Sequence, residues 1–222
     1  MVLLTDRRSA DRGLAEVVAA AVAGGVRWVV LREKDLARPE RAALAAELRA
    51  ILADADGTLV VAGPDPLGGD AVHLPAAGPY PTPRLGLVGR SCHDRAELDR
   101  LTTEDYVTVS PVHPTRTKPG YGPPLHPEGL ADLVRVSPVP VLALGGIETP
   151  DQVRSCVAAG AVGVAGGGGP PGAPAPPPGP SPPSGPPTPP PRGPRGARRA
   201  GGGGGGAPPP GAPPPRPRPQ PR

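Results

Sequence analysis

Cysteine is scarce in this 222-residue chain: Cys92 and Cys156 are the only two. They stand too far apart to suggest a metal-binding pair or a disulfide framework, so reduced, buried thiols are expected. The four histidines, His73, His93, His113 and His126, are too dispersed for a metal cluster, and each is expected to hydrogen-bond at a strand end or in a loop. No apolar run approaches the roughly 20 residues of a membrane-spanning helix. The opening Met-Val-Leu-Leu-Thr-Asp-Arg-Arg turns polar too soon for a secretory core. A cytoplasmic protein without a nucleic-acid or membrane partner is the expectation; oligomeric state is left open.

From Gly166 to Arg222 the chain lacks Val, Leu, Ile, aromatic and acidic residues altogether and consists of Gly, Pro, Ala, Arg, Ser, Thr and one Gln. Such a segment cannot bury a core and is expected to be a disordered tail. It holds seven arginines (192, 195, 198, 199, 216, 218 and 222), so subtracting them from the formal charge of +4 leaves −3 for residues 1–165. The basic balance belongs to the tail. Gly, Pro, Ala and Arg are the residues whose codons begin with two strong-pairing bases, and the composition changes abruptly at Ala165. A reading frame lost near that point explains both facts. A natural proline-rich arm that binds acidic or polyproline-recognising partners is the alternative. Two divisions are therefore expected, 1–165 and 166–222.

Residues 1–165 alternate between short apolar runs and segments of helical periodicity. Val2 to Leu4 is followed by Leu14, Val17, Val18, Ala21 and Val22 at helical spacing, which stop at Gly24-Gly25. Trp28 to Leu31 is the next strand, then a helix from Pro39 with Leu44, Leu48, Ile51 and Leu52 on one face, then Leu59 to Val61. Further strands are predicted at Ala71–Leu74, Leu87–Ser91, Tyr106–Ser110, Val139–Leu144 and Ala161–Ala165. Continuous apolar strands separated by helices fit a parallel sheet covered on its outer face, and eight strands close a TIM-like (β/α)8 barrel of the α/β class. A doubly wound open sheet is the rival, weakened because no Gly-x-Gly-x-x-Gly follows the first strand. Two prolines in Ala62–Asp70 reduce the third helix to a turn, and the eighth helix is missing, so the barrel is expected to be incomplete at its C-terminal end with apolar surface left at the seam.

Several strand ends carry anion-binding chemistry. Arg32 and Lys34 follow the second strand, Ser91 ends the fifth, and the loop after the sixth offers Thr115, Thr117 and Lys118 within four positions. Gly145-Gly146 ends the seventh strand, before Thr149-Pro150-Asp151-Gln152 opens a helix with a capping box. Backbone amides at such a glycine turn and helix start are suited to phosphate. Each feature has a plainer reading. Arg32 and Lys34 can be solvated rim charges, Ser91 and Asp94 can cap the next turn, and the glycines can serve a tight connection. The loop holding Thr115 to Lys118 is long for a compact barrel, which favours a functional lid.

Taken in order, Leu31-Arg32-Glu33-Lys34, Gly89-Arg90-Ser91-Cys92-His93, Pro111 to Lys118 and Leu144 to Ile147 resemble motifs of thiamine phosphate synthase and its relative, the TenI-type thiazole tautomerase. The resemblance implies a transferase of thiamine biosynthesis. In that reaction a pyrimidine diphosphate loses diphosphate, and the nitrogen of a thiazole phosphate captures the resulting cation. It implies that Arg32, Lys34, Ser91 and Lys118 hold the leaving diphosphate, and that Thr115, Thr117, Gly145 and Gly146 bind the thiazole phosphate. It also implies magnesium, held in the family by an Asn-Asp pair after the third strand and an Asp shortly after the fourth. Here Ala62-Gly63 and Pro75-Ala76-Ala77 stand in those places, Val30 replaces the family's Gln, and Gly166 to Gly169 replace its Val-Ser-Ala-Ile-like segment. Asp65 and Asp70 are the nearby carboxylates. TenI-type tautomerase activity is one alternative, although that branch's catalytic His falls at Pro111, with His113 two places on. A catalytically inactive phosphate-binding or truncated product is the other.

Overall fold

A strand that is apolar on both faces needs one face turned to a barrel interior and the other covered from outside, and the chain satisfies both demands. The structure, a computed structural model, describes residues 1–114 and 123–167, all within one compact unit. Its strands are β1 (Val2–Leu4), β2 (Trp28–Leu31), β3 (Thr58–Ala62), β4 (Ala71–Leu74), β5 (Leu87–Cys92), β6 (Tyr106–Val109), β7 (Val141–Leu144) and β8 (Gly163–Gly166). They pair in chain order as a closed barrel. The seam is a parallel β8–β1 pair with Val2 opposite Ala165 and Leu3 opposite Gly166. Each strand starts and ends within two residues of its sequence expectation. β7 begins at Val141 because Pro140 has no N–H to give the ladder.

Side chains alternate strictly between the two faces. Val2, Val30, Val60, Ala62, Ala71, Tyr106, Leu142 and Ala165 fill the interior. Their neighbours Leu3, Val29, Leu31, Leu59 and Val61 face outward against Val18 and Val22 of α1 (Leu14–Ala23) and Leu48 and Leu52 of α2 (Arg38–Ala53). On the other side Val107, Val109, Val141, Ala143 and Val164 pack with Leu98 of α3 (Arg95–Leu98), Leu130 and Leu133 of α4 (His126–Val136), and Cys156 of α5 (Pro150–Ala158).

Where helices are missing, other groups do the covering. Residues 63–70 form turns, as expected from Pro64 and Pro66, and Leu67 plugs the gap against the α1–α2 core. The β4–β5 connection also lacks a helix; Pro75, Pro79, Pro81 and Pro83 exclude it. There the outer face of Val72, Leu74 and Val88 meets Leu85 and a fully buried Arg90. Arg90 pairs with Glu104, donates to the carbonyls of Pro75 and Pro79 at 2.9 Å each, and lies 4.0 Å above the Tyr80 ring. One guanidinium thus clamps the proline-rich segment to the barrel. At the seam no helix follows β8 among the described residues, and Val157 and Val162 are 52% and 67% exposed beside it. The disordered-tail expectation concerns residues that, from 168 onward, lie outside those described.

Candidate active site at the carboxyl rim

Strand parity builds the site. Val30 points inward, so Leu31 faces out, Arg32 comes back toward the barrel mouth and Glu33 turns out again. The Arg32 N–H donates to Thr5 Oγ1 at 3.0 Å, extending the β1–β2 pairing past the last ladder residue. Glu33 is buried, accepting the Arg7 N–H at 3.1 Å with the Arg7 guanidinium 3.9 Å away. Lys34 is exposed at the rim. Burial of its ammonium, then repulsion from Arg32 and Arg41, holds it below the usual lysine range. Thr5, Asp6, Arg8, Arg32, Glu33, Lys34 and Asp35 line a cavity of about 110 Å³ at these strand ends.

The same parity sends His73, Ser91 and Thr108 inward from β4, β5 and β6. His73 Nε2 lies 3.0 Å from Ser91 Oγ and 3.2 Å from Thr108 Oγ1, and Nδ1 lies 3.2 Å from the Tyr106 hydroxyl. Ser91 is therefore tied into the interior rather than capping a helix. Asp94 is the cap, accepting the Glu97 N–H at 2.8 Å. Burial, reinforced by the charges of Lys34 and Arg90, pushes the His73 imidazole down to about 4, so it is neutral near pH 7. Gly89 makes room for this network, since a β-carbon there would collide with the Tyr106 ring. That ring meets Trp28 edge to face with centroids 5.6 Å apart.

Gly145 and Gly146 adopt φ of 98° and 65°, the left-handed region that favours glycine. Their smallness has a local reason beyond ligand access. A β-carbon on Gly146 would strike the backbone of His113 and Pro114, and one on Gly145 would crowd Pro111. The loop after β6 is laid along the end of β7 by bonds from Val112 N to the Leu144 carbonyl and His113 N to the Gly145 carbonyl, 3.0 Å each. Thr115, Thr117 and Lys118 lie outside the described residues; the chain enters that stretch at Pro114, beside Gly146. Among the described residues the buried His113 Nε2 has no partner. At the start of α5 the capping box closes as expected: Thr149 Oγ1 accepts the Gln152 N–H at 3.2 Å, and Gln152 Oε1 accepts the Thr149 N–H at 3.0 Å.

Magnesium does not fit the residues present. Asp65 is committed to Arg38 at 2.7 Å and to the Leu67 N–H at 3.0 Å, and Asp70 accepts the Gly86 N–H at 2.7 Å. Among the described residues no three His, Cys, Asp or Glu side chains gather into a metal site. Residues 115–122 and 168–222 contain none of these four types. A larger cavity of about 490 Å³, lined by Arg49, Gly57, Asp70 and Gly86, opens at the amino ends of β3 to β5. That is the face of a parallel barrel that serves stability rather than chemistry.

Sequence reasoning placed Arg32, Lys34 and Ser91 at the rim but left His73 as an ordinary hydrogen-bonded residue and did not single out Tyr106, Thr108 or Arg41. The signal for His73 and Thr108 was available, since each lies two residues from an inward neighbour, Ala71 and Tyr106.

The profile of the family described as "Thiamine monophosphate synthase" matches residues 1–168. The chain is 40% identical over 172 residues to a thiamine-phosphate synthase of Mycobacterium sp. (strain JLS), covering 67% of this chain and 75% of that protein. It is 36% identical over 176 residues to one of Albidiferax ferrireducens, covering 73% and 80%. The solved thiamine phosphate pyrophosphorylase of Pyrococcus furiosus superposes with a TM-score of 0.62 at 26% identity, covering 74% of this chain and 83% of that one. FabK of Thermotoga maritima, at 18% identity and a TM-score of 0.57, shares the fold. With the barrel closed, the rim built and the match running from the first strand past the last, the chain belongs to the thiamine monophosphate synthase family.

Proposed function

We infer that this chain is a thiamine phosphate synthase, a transferase that joins a hydroxymethylpyrimidine diphosphate to a thiazole phosphate and releases diphosphate. The observation that supports the reading is that Arg32 and Lys34 line one cavity at the strand ends, and that Lys34 is near enough to act on His73, the partner of Ser91, in a chain whose family match spans residues 1–168. The reaction asks little covalent chemistry of the protein. The pyrimidine C–O bond breaks, its electron pair leaves with the diphosphate, and the thiazole nitrogen supplies a new pair to the pyrimidine-methyl cation. Arg32, Lys34 and Lys118 supply positive charge where the leaving group becomes more anionic, and Ser91 supplies a hydroxyl donor. Thr115, Thr117 and the amides around Gly145-Gly146 receive the thiazole phosphate.

The polarity of Ser91 is set from behind. Tyr106 keeps its proton, because burial raises its phenol well above the usual range, and its hydroxyl lies 3.2 Å from His73 Nδ1. In the tautomer protonated on Nε2, the imidazole accepts from Tyr106 at Nδ1 and offers its Nε2 proton to Ser91 Oγ or Thr108 Oγ1, and a serine oxygen so engaged keeps its own hydroxyl free to donate to a phosphate oxygen. The catalytic division is expected at residues 1–165, with Gly166 completing the β8–β1 pair, and the rest of 166–222 as an appendage; limited proteolysis leaving a resistant fragment that ends near residue 165 supports this, and loss of the whole chain at one rate refutes it. The cytoplasm is the compartment, where buried Cys92 and Cys156 stay reduced.

The test is direct. The full chain is incubated with both phosphorylated substrates and magnesium as their counter-ion, and thiamine phosphate and diphosphate are followed by chromatography. Both products are expected in equal amounts, with Arg32→Ala and Ser91→Ala each lowering kcat about a hundredfold. Isomerisation of the thiazole alone would replace the synthase reading by the tautomerase one, and neither product would mark an inactive member of the family.

A further inference from the structure

Arg41, in the second turn of α2, reaches over the end of β3. Its Nη2 donates to the Ala62 carbonyl at 3.2 Å, and its buried Nε has no hydrogen-bond partner among the described residues. A desolvated guanidinium N–H without an acceptor is an unmet donor that an anion would satisfy. Cations cluster on this side of the rim, while the Asp6 and Asp35 carboxylates of the adjoining cavity are paired with Arg8 and Arg7. Lys34 feels the charge of both Arg32 and Arg41. Asp65 is close enough to feel Arg41 as well, but its oxygens are taken by Arg38 and the Leu67 N–H, and Glu33 is turned out toward Arg7. Directly after Ala62, Gly63 has φ 114° and nothing within 4 Å of where a β-carbon would stand, so the space above the β3 end is open. This is the position at which the metal-holding Asn-Asp pair of the family resemblance is replaced by Ala62-Gly63.

We propose that Arg41 is a further anion-binding residue of this rim, and that with Arg32 and Lys34 it holds a diphosphate group without a protein-bound dication. The inference rests on the phosphate-handling reading above. A guanidinium at the β3 end takes over the charge balance that carboxylate-held metal provides elsewhere, and its forked donors suit phosphate oxygens. A carboxylate pair beside Arg41 would instead neutralise it, so the loss of the carboxylates and the free donor are two sides of one arrangement.

The experiment is calorimetric titration of the full chain with inorganic diphosphate, in EDTA and in magnesium. The wild type is expected to bind in EDTA with an affinity within about threefold of that in magnesium. Arg41→Gln should weaken binding in EDTA about tenfold or more, the loss of one charged hydrogen bond, and Arg41→Lys should recover most of it. Arg135→Gln, exposed on α4 and paired with Asp132 away from this rim, should leave the affinity unchanged. Binding by the wild type only when magnesium is present overturns the inference while leaving the functional reading intact, and needs no variant to fold. A folded Arg41→Gln protein with wild-type affinity removes Arg41 from the site. Absence of diphosphate binding under both conditions overturns the inference and the functional reading together.

Discussion

Replacing Glu104 by Gln removes one charge from a pair in which both side chains are 0% exposed, and leaves the Arg90 guanidinium buried without a counter-charge. Breaking such a pair costs about 3–5 kcal/mol, because the remaining ion has neither water nor counter-charge and keeps only the Pro75 and Pro79 carbonyls and the Tyr80 ring. Glu104 also accepts the Thr102 and Thr103 N–H groups at 2.7 and 3.1 Å, bonds that the Gln amide oxygen can keep only in part. Against a total stability of about 5–15 kcal/mol, the loss lowers the thermal midpoint by about 6–20 °C, at roughly 2–4 °C per kcal/mol for a chain of this size. Urea denaturation followed by circular dichroism measures the free-energy difference at constant slope. The double variant Arg90→Met with Glu104→Gln should be more stable than Glu104→Gln alone, since no stranded charge remains. The pair also has a pH signature. Burial works to raise the Glu104 carboxyl, but the Thr102 N–H and Arg90 more than offset it and leave it below the usual range. Its contribution is full above the unfolded-state value of about 4.3 and is lost as pH falls through the lower folded one. A Glu104→Gln loss under about 1 kcal/mol, or a double variant weaker than the single one, would refute the clamp.

His73 titrates in a different window. Its folded value of about 4 lies below the unfolded value of about 6.5, so its stabilising contribution is complete above pH 6.5 and declines as pH falls from there toward 4. His73→Asn should flatten the dependence of stability on pH across that interval, and an unchanged slope would contradict the buried neutral imidazole. Both thiols should be inert in the folded protein. Burial, then the charge of Glu97, pushes Cys92 up to about 12, burial raises Cys156, and both side chains are fully buried. Labelling with a disulfide reagent at pH 8 is expected to be about a hundredfold slower in buffer than in urea; one thiol reacting at the urea rate in buffer would show that the α5 or α3 cover is absent.

Much of the barrel was legible because its information is local. Apolar doublets such as Val29-Val30 and Val60-Val61 mark strands buried on both faces, and the spacing of Leu44, Leu48 and Leu52 marks the helix between them. Closure by an eighth strand was expected, but the register of the β8–β1 pair was not legible, since it joins residues far apart in the sequence. The helix-free β4–β5 sector could have been read from its four prolines, but what covers it could not. Arg90 sits inside a motif that directs attention to Ser91, while its own side chain goes to the opposite face and finds Glu104 through the fold. For the site, residues with charge or hydroxyl groups in a recognised order stood out. His73, Tyr106 and Thr108 did not, because their role comes from meeting across three neighbouring strands. Gly145 and Gly146 were read as ligand-facing, and the structure adds a packing reason in the close passage of His113 and Pro114.

The account stands on the barrel's carboxyl mouth as the place where phosphate groups bind. A crystal structure of the chain soaked with inorganic diphosphate tests that directly. Density within hydrogen-bonding distance of Arg32 and Ser91 Oγ is the expected result. Density confined to the cavity at the opposite end of the barrel, beside Arg49, would contradict it.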